Sequence, residues 1–140
     1  MAKSIFLFKI NNNFKSLKNE NNLDIILDIF IKSNNSKFYK EQFNLIIDDL
    51  DTNMVKNNLI NNFVNKSNFI IDNNKLILKN QYMDADEEIF IYNNYLKIII
   101  VGNYSLFLEY LSLYFIELIA INLEEEKIYP LYLVKNNILV

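Results

Sequence analysis

The side chains in this chain that could do chemistry are mostly carboxylates, and they come in two bursts. Asp84, Asp86, Glu87 and Glu88 stand almost together, and Glu124, Glu125 and Glu126 are consecutive. Such groups can ligate a hard cation, work as general acid and base, or offer negative charge to a cationic partner. A calcium loop of the twelve-residue type needs a glycine at its sixth position and a closing Glu, and Asp84-x-Asp86-Glu87-Glu88 supplies neither. Acid-base catalysis lacks its usual company. The sequence has no His, Cys, Arg or Trp and a single glycine, Gly102. There is therefore no imidazole base, no thiolate nucleophile or disulfide, no bidentate guanidinium, and no glycine-rich loop to cradle phosphate. The expectation is a protein without enzymatic activity, cofactor or metal. The third use of the carboxylates, recognition of a basic partner, is the one left.

At 140 residues with 51% hydrophobic content, the chain has the size and apolar content of one ordinary domain with a packed core. A single compact domain over 1–140 is expected, with a helical part at 1–80 and a β-β-α-β part at 81–140 as its possible sub-units. Charge separates these halves: residues 1–80 carry a net +3 and residues 81–140 a net −6. The abundance of Asn, Ile, Leu, Lys, Tyr and Phe follows codons poor in G and C, as in a low-GC bacterium or its phage.

The elements that must position the acids can be read in order. KSIFLFKI at residues 3–10 is β-branched and aromatic, which predicts a strand, with Asn11, Asn12 and Asn13 as its turn. Leu23, Ile26, Leu27, Phe30 and Ile31 recur at helical spacing, with Asn21 or Asn22 placed to cap. Tyr39, Phe43, Ile46, Ile47 and Leu50 repeat that pattern, and Val55, Leu59, Ile60, Phe63 and Val64 do so again after a cap at Asp51 or Thr52. NFIIDNNKLILK reads as a hairpin, and IFIY, Asn93, Asn94 and YLKIIIV as a second. Gly102 turns the chain into residues 106–121, an apolar run predicted to be one long central helix capped by Asn103 or Ser105. The glutamates at 124–126 should lie beyond its end, since acids oppose the dipole there. KIYPLYLV closes the chain as an edge strand suited to Pro130, followed by a turn at Asn136 and Asn137. The fold class predicted is α+β, with three helices and hairpins in the N-terminal part and a C-terminal antiparallel sheet packed on one long apolar helix.

The run at 106–121 is shorter than the roughly 20 residues a bilayer requires and contains Glu109 and Glu117, so no membrane span is expected. The apolar run before Lys9 is too short for a signal-peptide core, and a cytoplasmic location follows. Ser105, Glu109 and Ser112 form the one polar strip on the apolar run.

Three helices and then a hairpin, over residues 21–79, resemble the element order of a winged-helix domain. That resemblance implies a DNA-binding transcriptional regulator, with the third helix as reading head and Lys56, Asn58, Asn61 and Asn62 as its nucleic-acid contacts. Against it, the lysines of this half are interleaved with Glu41, Asp48, Asp49, Asp51 and Asp72, and phosphate binding rests on net positive charge. The reading that uses most of the sequence is a small acidic protein-binding inhibitor. Toxin-immunity proteins and phage anti-defence proteins, anti-CRISPR proteins among them, are similar in this general build. Asp84, Asp86, Glu87, Glu88, Glu124, Glu125 and Glu126 are its expected contacts with a basic nuclease, toxin or defence effector, and an oligomer is compatible with the tyrosine-rich composition.

Overall fold

The first strand has apolar side chains on both of its faces, which is the signature of a strand covered from two sides. In the computed structural model, which describes residues 2–18, 22–80 and 85–136, this strand, β1 (Ala2–Lys9), lies inside a seven-stranded antiparallel sheet. The other strands are β2 (Phe69–Asp72), β3 (Lys75–Asn80), β4 (Ala85–Ile91), β5 (Leu96–Val101), β6 (Leu118–Asn122) and β7 (Lys127–Pro130). Their spatial order is β2-β3-β4-β5-β1-β6-β7. The chain is α+β, and the helices are α1 (Leu23–Ser33), α2 (Lys37–Ile46), α3 (Thr52–Phe63) and α4 (Leu106–Tyr114).

Alternation along the strands divides the core in two. Ile5, Leu7, Leu76, Leu78, Ile89 and Ile98 point to one face and meet Val55, Leu59 and Phe63 of α3 and Phe107, Leu108 and Leu111 of α4. On the other face Phe8, Ile10, Ile119 and Ile121 meet Leu23 and Ile26 of α1 and Phe43 and Ile46 of α2. Phe6 extends this second core through ring contacts with Phe30 and Tyr95 at 5.0 and 4.5 Å. Among the described residues no helix is long and apolar enough to cross a membrane.

Two expectations are corrected here. The three N-terminal helices follow one another as predicted, but they share no common core as the winged-helix resemblance requires. The chain between α2 and α3 crosses the end of β1 from one face of the sheet to the other. It is pinned there by the Ile10 and Ile47 bridge and by bonds from Asp48 N to Lys9 O and from Asn11 N to Ile46 O, both 2.7 Å. The β2-β3 hairpin, which the resemblance makes a wing, is the outer part of the sheet. The asparagine side of α3 is solvated at Asn57, Asn61 and Asn62, and the Lys56 ammonium donates to the Asn73 carbonyl at 2.8 Å.

The long helix is the second correction. Only Leu106–Tyr114 is helical; Phe115 breaks the pattern at φ −130° and ψ 64°, and LIAIN becomes strand β6, buried along its whole length. A strand covered on both faces is uniformly apolar, so its period cannot be told from that of a buried helix. Pro130 does end an edge strand, but the chain then coils into a short 3-10 helix, Leu131–Asn136, instead of continuing as PLYLV; residues 137–140 lie outside the described residues. The caps fall on Asp51 for α3 and Ser105 for α4, whereas Asn22 makes no side-chain cap to α1.

Gly102 follows β5 with φ 118°, a conformation open to glycine and costly for any residue with a Cβ. Gly102→Ala is expected to lower the unfolding free energy by about 1–3 kcal/mol, seen as a lower urea midpoint at unchanged slope. An unchanged midpoint would show that the turn relaxes into an allowed conformation.

Candidate protein-interaction surface

The strand period decides what the first acidic segment can do. β4 begins at Ala85, so Asp86, Glu87 and Glu88 belong to a strand and not to a loop, and alternate residues point to opposite faces. Asp86 sits across from Lys79 of β3 and is exposed. Glu88 pairs with the Lys75 ammonium at 3.9 Å. Asp84 lies outside the described residues.

Glu87 turns inward and is only 3% exposed. Its Oε1 accepts the Ser105 hydroxyl at 2.6 Å and the Phe107 amide at 3.1 Å, and its Oε2 accepts the Leu106 amide at 2.7 Å. Those amides open α4, and Ser105 Oγ itself accepts the Leu108 amide at 3.0 Å. The carboxylate thus fills the N-terminal donors that a helix leaves unpaired, where its charge also meets the positive end of the dipole. Burial pushes the Glu87 carboxyl above its ordinary range, while these three bonds pull the other way. Expected as a partner contact, Glu87 is corrected to a buried capping residue.

The second burst is a turn. Residues 123–126 join β6 to β7, and all three glutamates are exposed. The turn is held by Asn122, whose Oδ1 accepts the Glu125 amide at 3.2 Å, and by Leu123 N donating to Ser4 O at 3.0 Å. Glu124 Oε1 accepts the Ser4 amide at 2.6 Å, prolonging the β1-β6 ladder by one side chain. Glu126 takes φ 52°, which is uncommon for a residue with a Cβ and fixes the direction of the turn. Glu125 pairs with Lys127 at 3.7 Å. The Tyr129 hydroxyl is pushed up to about 12, by burial first and by the Glu125 carboxylate second, and so stays neutral at physiological pH.

Register brings the two bursts to one end of the sheet. Asp86 pairs with Val101 of β5, which pairs with Ala2 of β1, whose next residues carry the 123–126 turn. From β4 to β6 is three strand spacings, roughly 14 Å. Asp86, Glu124, Glu125 and Glu126 thus share one end, Glu88 stands one step in on the same face as Asp86, and Glu87 is withdrawn beneath α4. Among the described residues no three Asp or Glu side chains converge as metal ligands would. Of the Ser105, Glu109 and Ser112 strip the two serines are buried and used within α4: Ser112 Oγ donates to Glu109 O at 2.7 Å, and Ser105 serves the cap.

Asp48, Asp49, Asp51 and Glu117 gather at the opposite end of the sheet, around Lys9. Asp48, Asp49 and Asp51 are near neighbours in the chain, whereas Glu117 and Lys9 come from distant segments, so the grouping is set by the fold. The sequence matches no protein-family model, and comparison with curated proteins finds no match.

Proposed function

We propose that the chain is a protein-binding inhibitor of the toxin-immunity or phage anti-defence type, acting on a basic partner that handles nucleic acid. The observation that carries this reading is the 124–126 turn, which holds three consecutive exposed glutamates on a hydrogen-bonded connection anchored to β1, an interior strand. A charged group on a rigid element presents its field in a fixed place, which favours recognition over a solvated tail. Asp86 adds to the same end of the sheet. A negative surface of this kind speeds encounter with a cationic groove and, once docked, excludes the phosphates that groove would bind.

The test is capture from a low-GC bacterial host on the immobilised chain, followed by assay of the captured protein on nucleic acid. The expected partner is a basic nuclease or nucleic-acid-binding enzyme that the chain inhibits. Replacing Glu124, Glu125 and Glu126 together by Lys is expected to slow association about tenfold or more and to flatten its salt dependence. Equal capture and equal inhibition by that variant would sink the proposal.

A further inference from the structure

Between the start of α3 and the end of α4, at the end of the sheet opposite the glutamate turn, the surface opens into a cleft of about 400 Å³. Its floor is Leu50, Phe115 and Leu118, and its lips are three large apolar side chains left in water. Met54 is 48% exposed, Tyr114 67% and Ile116 63%. Solitary exposed apolar residues are ordinary, but three around one concavity form a patch of the kind that binds.

The charge around the cleft is one-sided. Lys9 is the one cation among its lining residues, and it is already engaged by Glu117 at 3.3 Å and Asp48 at 3.9 Å. Asp49 and Asp51 complete the rim, so with Glu117 three carboxylates line the cleft against one ammonium, and Asp48 stands behind Lys9. Asp51 Oδ1 accepts the Met54 amide at 3.0 Å and caps α3, which fixes this part of the rim to a helix end. An anionic ligand is repelled here. A second copy meeting this cleft with its own is also disfavoured, because the acidic rim would then face itself.

We infer that this cleft docks a basic amphipathic segment of a partner protein, with one or two large apolar side chains seated against Leu50 and Phe115 and flanking lysines or arginines on the Asp49, Asp51 and Glu117 rim. Apolar anchors in a water-excluding pocket supply the affinity, and the acidic rim supplies direction and on-rate. The surface is separate from the 124–126 turn and does not depend on the reading given to it.

The probe is a fluorescein-labelled twelve-residue peptide carrying a central Leu-Phe pair between lysines, with a control in which that pair is Ser-Ser. Titrated into the full chain, the Leu-Phe peptide should saturate at low salt and shift the backbone amide resonances of Leu50, Met54, Ile116 and Glu117. The serine control should bind at least tenfold more weakly. Ile116→Ser combined with Asp49→Asn, both exposed positions, should cost at least tenfold, whereas the single change Glu125→Gln in the 124–126 turn should change affinity less than about twofold. Binding by the control equal to that of the Leu-Phe peptide, shifts confined to residues 124–126, or no saturation at low salt would each overturn the inference. The resonance map uses the unaltered chain, so it decides even if the variant folds poorly.

Discussion

Glu87→Ala is expected to destabilise the protein by about 3 kcal/mol, close to the effect of deleting a large core side chain. The substitution leaves the Leu106 amide, the Phe107 amide and the Ser105 hydroxyl without the acceptor they now share, in a place where Ser105 and Phe107 are fully buried. Each unsatisfied buried donor costs about 1–3 kcal/mol, and water entering the vacated space recovers part of that. For a domain of this length the loss corresponds to a fall in Tm of roughly 10 °C. Glu87→Gln should fall between the two, since its amide oxygen keeps the bonds made by Oε1 while its NH2 faces the Leu106 N–H. A Glu87→Ala protein with wild-type Tm would mean that α4 finds another cap.

The same side chain gives a pH dependence whose sign is fixed by burial. The folded carboxyl titrates above its ordinary value of 4.5, so the native state holds this proton where the unfolded chain has released it. Stability from this group is fully present below the unfolded value. It declines as pH rises through the folded one and is level above it. Relative to Glu87→Gln, the wild type should therefore lose stability on that upward path. Urea midpoints of the two proteins, measured in parallel from acid to neutral pH, give the difference directly. A difference that grows in favour of the wild type as pH rises would show that the three donors outweigh desolvation.

Glu87 also marks the boundary of what could be read from the sequence. Local signals were legible: the β-branched and aromatic content of KSIFLFKI, the three helical stripes, the asparagine turns of two hairpins and the Asp51 and Ser105 caps all describe neighbours along the chain. The role of Glu87 depends on Ser105, Leu106 and Phe107, brought over it by the β4-β5 pairing and the turn at Gly102. Nothing in Asp86-Glu87-Glu88 distinguishes the middle acid until the strand's register is known. The helix ending at Tyr114 was hidden for a related reason. Leu118, Ile119, Ala120 and Ile121 are apolar because both faces of β6 are covered, and the covering residues come from β1, α1, α2 and the 3-10 turn at Leu131. The 124–126 turn, expected just beyond the end of a long helix, follows strand β6 instead, and its anchoring to Ser4 is a contact across almost the whole chain.

Neither half of the chain is expected to fold alone: residues 1–80 and residues 81–140, made as separate fragments, should each lack a cooperative thermal transition. β1 occupies the slot between β5 and β6, so division at residue 80 removes both of its partners at once. The first fragment retains β2 and β3, a two-stranded hairpin of marginal stability without a third strand, and the second-face core loses Ile119 and Ile121 from beneath α1 and α2. In the second fragment β5 and β6 face an empty position roughly 10 Å wide, twice the spacing over which strands bond. Neither the Ile5 and Leu7 contacts to α4 nor the Phe8 contacts to α2 can be replaced from within a fragment. Equimolar mixing should restore a cooperative melt by far-UV circular dichroism, because β1 supplies both missing ladders in one step. A cooperative transition in residues 1–80 alone would contradict this and return the helical part to the status of an independent unit, since only a core shared by α1, α2 and α3 could support it.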